Sequence, residues 1–184
     1  MQPYFFPYIG YWQLIHSVDK YVIYNDVQYI KGGWINRNRI LVGGESKLIN
    51  LLMNGASQNR LINEINVPDN IVQKSKTLKT IKHSYSKAPY FNLIYPVIEK
   101  IIFYKEQVLS LYLKHSIETI ADYLGINTEF ILSSDIEKDN KLKGQDKVLQ
   151  ICKILGATEY YNAIGGKELY SVEVFGKYGI DIKF

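Results

Sequence analysis

The 184-residue chain has one cysteine, three histidines, two methionines and five prolines, and each scarcity removes a class of explanation. A lone Cys152 excludes a disulfide within the chain and fits a reducing compartment. Its neighbours Val148, Leu149, Ile151 and Leu155 recur at helical spacing, so Cys152 reads as a small buried hydrophobe rather than a nucleophile. Three scattered histidines without paired cysteines or spaced carboxylates make no metal motif, and no metal site is expected. No apolar run approaches the ~20 residues of a membrane-spanning helix. No basic segment followed by an apolar one marks a secretory leader, so the expectation is a cytoplasmic protein with no membrane span. The net charge of +4 suits an anionic small molecule and does not call for nucleic acid. With no repeat, low-complexity tract or long linker, the chain reads as one domain.

What is abundant is tyrosine, at 16 residues against 7 phenylalanines and 2 tryptophans. Tyrosine rings are amphipathic and tend to edge a pocket or a subunit interface with the hydroxyl hydrogen-bonded, so a homodimer is compatible with this surplus. A genome that favours Tyr, Lys, Ile and Asn would produce the same composition.

The segment Asp19-Lys20-Tyr21-Val22-Ile23-Tyr24-Asn25 is short, apolar and β-branched, which predicts a buried strand. Gly10 to Ser17 before it fits two turns of helix. A loop, a helix and a buried strand make half of a βαβ unit, so Met1-Gln2-Pro3 is expected at the end of a first strand that the sequence lacks. Gly43-Gly44 predicts a hairpin between Asn38–Val42 and Lys47–Leu52. A further short strand is expected over Ile62–Val67. Asp69 reads as the N-cap of a helix through about Tyr85, with Pro89 marking its end. Apolar residues at spacings of three and four from Phe91 to Leu124 predict one or two amphipathic helices ending near Gly125. Thr128–Leu132, Glu159–Asn162 and Ile180–Phe184 are strand candidates, and Lys147–Leu155 is a helix stopped by Gly156. Strands alternating with helices in the outer thirds predict an α/β domain with a Rossmann-like, mostly parallel sheet. The middle third, about residues 69–125, reads as a helical insertion.

Four places carry polar chemistry. In Gln2-Pro3-Tyr4-Phe5-Phe6-Pro7-Tyr8-Ile9-Gly10-Tyr11, two prolines stiffen a loop, Gly10 permits close backbone approach, and a helix start can hold an anion. So many exposed rings imply a partner or ligand, although they would equally cap a sheet. Asp26 follows a strand at the end where open α/β sheets bind ligands, and could bind a ribose or sugar hydroxyl, orient a metal or act as general base; a turn-forming aspartate is the plain alternative. In Lys31-Gly32-Gly33-Trp34-Ile35-Asn36-Arg37-Asn38-Arg39, an extended backbone puts Asn36 and Asn38 on one face and Arg37 and Arg39 on the other. Arginine forks suit phosphate or carboxylate, Trp34 offers a stacking surface, and the asparagines suit sugar hydroxyls or an amide; a solvated basic hairpin is the plain alternative. The glycine spacing here is not that of a phosphate-binding loop. His83 adjoins the turn Tyr85-Ser86-Lys87-Ala88-Pro89-Tyr90 and is the candidate catalytic histidine. Asn162, with Gly165, Gly166 and Lys167 of the following turn, forms a second candidate anion site or a simple glycine turn.

Taken together, the N-terminal motifs, Tyr85-Ser86-Lys87-Ala88-Pro89-Tyr90-Phe91 and Tyr161-Asn162-Ala163-Ile164-Gly165-Gly166-Lys167-Glu168-Leu169-Tyr170 resemble the WbqC-like family through nearly the whole chain. The resemblance implies a setting in O-antigen and other surface-polysaccharide biosynthesis, with an activated, amino-bearing sugar as substrate. Family members usually have a strand before the Gln-Pro motif and often two acidic residues where Asn25-Asp26 stands here, so a two-carboxylate metal site is not implied. A weaker likeness to nucleotidylyltransferase-type Rossmann domains places Pro7-Tyr8-Ile9-Gly10-Tyr11 at their phosphate loop, with tyrosine in place of histidine.

The expected function is acyl or aminoacyl transfer to the amino group of a nucleotide-linked sugar. Asp26 or His83 would take the amine proton, Arg37 and Arg39 would hold the diphosphate, and Trp34, Tyr4 and Tyr8 would stack. Gln2, Gly10, Asn36, Asn38, Tyr85, Asn162, Gly165, Gly166 and Lys167 complete the expected binding set. The partners are then a nucleotide sugar and an activated acyl donor, and no cofactor is identifiable. Nucleotidyl transfer or adenylate-forming ligation is one alternative, and a noncatalytic sugar-binding subunit is another.

Overall fold

A computed structural model describes residues 1–184. The helix α1 (Ile9–His16) buries Tyr11, Trp12 and Ile15 and leads into β1 (Lys20–Ile23). Strand β1 pairs in parallel with β4 (Glu129–Leu132), Lys20 opposite Glu129 and Ile23 opposite Leu132. On the other side of β1, the Met1 amino group donates to the Val22 carbonyl at 2.8 Å and the Met1 carbonyl accepts from the Tyr24 amide at 2.8 Å. The expected hairpin forms as β2 (Arg37–Val42) and β3 (Glu45–Asn50), antiparallel, with both Gly43 and Gly44 at positive φ in the turn. Strands β5 (Glu159–Tyr161) and β6 (Asp181–Lys183) form a second parallel pair near the C-terminus.

The fold is therefore mixed α/β with parallel elements, but its strands form three two-stranded sheets rather than one mostly parallel sheet. Local chemistry limits their growth. The Leu41 amide on the outer edge of β2 donates to the Tyr85 hydroxyl at 2.9 Å, so a side chain occupies a position where another strand would pair.

Helices fill residues 71–123. The helix α2 (Ile71–Tyr85) buries Lys74, Leu78 and Ile81 along one face. Its N-cap is Asn70, whose side chain accepts from the Gln73 amide at 2.9 Å; Asp69, the expected cap, instead pairs with the Lys74 ammonium at 2.8 Å. The expected strand at Ile62–Val67 is a short 3₁₀ turn (Ile62–Glu64) followed by bridges from Asn66 to Asn54 and Val108. The long apolar stretch from Phe91 divides into α3 (Phe91–Ile102) and α4 (Leu109–Tyr123). The break falls at a turn just before α4, where the Glu106 carboxylate accepts from the Gln107 and Val108 amides, both at 2.8 Å. Two further helices, α5 (Gly144–Ile154) and α6 (Val172–Gly176), complete the chain.

Three apolar cores hold these elements. The largest joins Phe5, Ile35 and Ile49 to Ile81, Leu109 and Leu113, tying the N-terminal loop and hairpin to α2 and α4. The second packs α1 and the β1–β4 pair against Ile117 and Ala121 of α4. The third surrounds Phe175 and contains Cys152, buried as expected. No helix is long and apolar enough to cross a membrane.

Candidate functional site

Parallel strands β1 and β4 end on the same side, so Asn25-Asp26 and Ser133-Ser134 meet there. Asn25 is buried, its side-chain amide donating to the Ser134 hydroxyl at 3.0 Å and its side-chain oxygen accepting from the Ser134 amide at 3.0 Å. The Asp26 carboxylate receives Lys138 at 2.8 Å and Lys147 at 2.9 Å, and the Ser133 hydroxyl donates to its other oxygen. All three charged side chains are buried, at 10 % exposure for Asp26, 1 % for Lys138 and 7 % for Lys147.

The lysines are also satisfied elsewhere. Lys138 donates to the Ile136 carbonyl at 3.3 Å and to the Ser133 carbonyl, while Lys147 donates to the Asp26 carbonyl at 3.1 Å and lies 5.2 Å from the centre of the Tyr24 ring. Burial alone would raise the pKa of Asp26, but the hydrogen bonds from Lys138, Ser133 and Lys147 outweigh it and hold the carboxyl below its ordinary range. The Tyr24 phenol is pushed up to about 12 by burial and by the negative charge of Asp26. A carboxylate clamped by two ammonium groups and a hydroxyl is a poor proton acceptor. Its geometry is that of an anchor fastening the ends of β1 and β4 to α5.

A second place gathers more of the expected ligand-binding residues. A cavity of about 470 Å³ opens between the N-terminal loop, the hairpin, the end of α2 and the start of α3. Such a volume falls in the range of small-molecule sites, roughly 300–1,000 Å³. Tyr8, Asn38, Arg39 and Tyr85 line it, with Phe6, Ile81, Phe91 and Ile98 among its apolar walls. Arg39 is the one charged lining residue, and its guanidinium makes no hydrogen bond or ion pair within the chain. A flat or aliphatic body with one anionic group matches this lining.

The loop that forms one wall is held under strain. Phe6 adopts φ +49°, unusual for a bulky residue, and the Asn38 side-chain amide donates both to the Phe5 carbonyl, at 3.2 Å, and to that of Phe6. Gly10 is needed for a different reason: a Cβ there would lie 2.4 Å from Cε2 of the Tyr8 ring. Tyr4 packs against Tyr11 with ring centres 5.6 Å apart, and the Tyr11 hydroxyl donates to the Gln2 carbonyl at 3.0 Å. Gln2 and Tyr4 thus brace the loop and are not among the cavity's lining residues.

Other expected residues are committed elsewhere. Asn36 accepts from the Tyr29 hydroxyl at 2.9 Å and donates to the Leu51 carbonyl at 3.1 Å. Arg37 folds back onto its own turn, donating to the Gly33 carbonyl at 3.0 Å and to that of Gly32, so its fork is occupied by backbone. Trp34 is exposed and outside the cavity, and its backbone carbonyl accepts from the Phe5 amide at 3.2 Å. His83 lies outside the cavity, in a separate groove with Lys47, Lys76 and Lys79. Helical geometry explains this: Ile81 and Tyr85 line the cavity four residues apart, and a side chain two residues from each points about 200° away. Gly166 accommodates the Asn162 side chain, whose Nδ2 would be 2.5 Å from a Cβ there, while Gly165 and Lys167 are exposed. Their segment leads to Tyr170, on the Asp26 side of the molecule.

The WbqC-like family model matches residues 2–184. This chain is a member of that family. It is 28% identical, over 99% of its own length and 78% of the relative's, to the uncharacterized protein Rv1507c of Mycobacterium tuberculosis. No solved structure matches it.

In this WbqC-like chain the site residues that sequence reasoning missed are the two lysines on Asp26 and the apolar walls of the cavity. Lys147 carried a signal, because it sits four residues before Ile151 on the buried stripe of α5. Lys74, equally buried on α2 but paired with Asp69, shows that such a signal marks a buried cation rather than a ligand site. Ser133 and Lys138 meet Asp26 only through strand pairing more than 100 residues apart in sequence, as for Ser133 and Asp26 at a separation of 107.

Proposed function

We propose that the protein transfers an acyl or aminoacyl group to the amino group of a nucleotide-linked amino sugar in surface-polysaccharide biosynthesis. The cavity that unites Tyr8, Asn38, Arg39 and Tyr85 carries this reading, together with family membership. Arg39 offers a free fork for a phosphate or carboxylate, and Tyr8 and Tyr90 offer exposed ring faces. No serine, cysteine, threonine, histidine or carboxylate lines the cavity. Its contribution to transfer is accordingly one of position and charge: the sugar's amine nitrogen bonds to the activated carbonyl carbon, the donor's activating group leaves, and the amine proton passes to solvent, with no covalent relay on the protein.

A second reading has its own observation. Asp26 is clamped by lysines and His83 faces another groove, so neither expected base lines the cavity. That arrangement favours a noncatalytic nucleotide-sugar-binding subunit serving a biosynthetic partner. Calorimetry with nucleotide-linked amino sugars, followed by an assay for product with activated acyl donors, separates the two. Arg39→Ala is expected to weaken nucleotide-sugar binding roughly 10- to 150-fold, corresponding to about 1.5–3 kcal/mol for a charged hydrogen bond. Failure of every nucleotide sugar to bind the wild-type protein removes both readings, whereas binding without turnover retains the second.

A further inference from the structure

Charge is not spread evenly along this chain. Residues 31–87 contain ten Lys and Arg against three Asp and Glu, although the whole protein carries only +4. Helix α2 has four lysines and His83 and no acidic residue. Val72, Lys76, Lys79 and His83 recur at spacings of four, three and four, which places them in one stripe along about 16 Å of helix. Lys47 of β3 faces the same shallow groove, and no acidic side chain lines it. At its amino-terminal end the groove carries aliphatic side chains with little cover, Ile71 at 63 % exposure and Val72 at 81 %.

We propose that this face of α2 docks the protein on a membrane surface rich in acidic phospholipid. The inference is independent of the chemistry assigned to the adjacent cavity. The cations form a line instead of converging on one point, and no arginine fork lies among them, so an extended array of phosphate headgroups fits better than one small phosphate. The aliphatic pair supplies what soluble polyanions have no use for, an apolar anchor at headgroup depth. The contact is peripheral, since no helix is long and apolar enough to cross a bilayer.

Sedimentation with large vesicles tests this, using phosphatidylcholine alone and phosphatidylcholine with roughly a third phosphatidylglycerol. The full chain is expected to bind the acidic vesicles and not the neutral ones, with binding falling as salt rises. Each lysine at an acidic surface contributes about fivefold, so the doubly charge-reversed K76E/K79E variant is expected to lose at least 25-fold. Both residues are exposed, and unchanged thermal melting of the variant confirms that its fold survives. Ile71→Ser with Val72→Ser is expected to weaken binding while leaving the salt dependence in place. Equal binding to neutral vesicles, no effect of K76E/K79E, displacement by inorganic pyrophosphate at matched phosphate concentration, or tighter binding to duplex DNA or RNA than to vesicles would each overturn the proposal.

Discussion

Replacing Asp26 by asparagine keeps the shape of the side chain and removes its charge, leaving Lys138 and Lys147 buried with no carboxylate between them. Breaking a buried ion pair from one side costs about 3–5 kcal/mol, because the desolvation of the remaining charge is no longer offset. Here two ammonium groups at 1 % and 7 % exposure are left facing each other, so the upper part of that range applies, softened by the carbonyls that each lysine retains. For a protein of this size, about 2–4 °C of melting temperature accompanies each kcal/mol, which places D26N roughly 10 °C or more below the wild type at neutral pH. The pH dependence has a definite sign. The folded-state Asp26 carboxyl titrates below its unfolded value, near 3.9. Its stabilisation is therefore complete above that value and is lost as pH falls through the folded one, so wild type and D26N converge in strong acid. Adding Lys147→Met to D26N removes one unpaired ammonium and should restore part of the loss. Thermal and urea melts followed by circular dichroism from pH 2 to 8 read all of this. A D26N protein within about 1 kcal/mol of wild type at pH 7 refutes the anchoring role.

Gly10→Ala drives a methyl group into the Tyr8 ring, which is 64 % exposed and free to swing outward. It should leave stability within about 1 kcal/mol of wild type while weakening nucleotide-sugar binding, and loss of fold instead would show that Gly10 acts on the core. Burial pushes the Cys152 thiol up to about 11, so at pH 8 it is neutral in the folded protein. A thiol reagent at that pH should label the native chain far more slowly than the urea-unfolded chain, and equal rates would contradict its buried position.

Local pattern was legible without coordinates wherever the cause was local. The β-branched run at Tyr21–Ile23, the Gly43-Gly44 turn, the apolar spacing of α2 and α4 and the buried Cys152 each follow from neighbours a few residues apart. The alternation of strand side chains also holds on the hairpin, with Asn38 and Ile40 on one face and Arg39 on the other, although all three border the cavity. An expectation also failed where a neighbouring side chain competed. Asp69 gave its carboxylate to Lys74, and Asn70 took over the cap.

The candidate site divides in the same way. The sequence by itself determined three segments rich in aromatic and polar side chains, and residues of all three, the Pro3–Tyr8 loop, the Asn-Arg strand and the Tyr85–Tyr90 turn, line one cavity. It could not decide which side chains within them remain available to a ligand. Contacts in the folded chain turned Arg37 back onto its own Gly32-Gly33 turn while leaving Arg39 free, and the pitch of α2 sent Tyr85 into the cavity and His83 away from it. They also closed Lys138 and Lys147 around Asp26, joining residues more than a hundred positions apart. Backbone periodicity is set by neighbours and can be read from them. The occupation of a polar side chain depends on which acceptors packing brings within 3 Å, and only the folded chain fixes that.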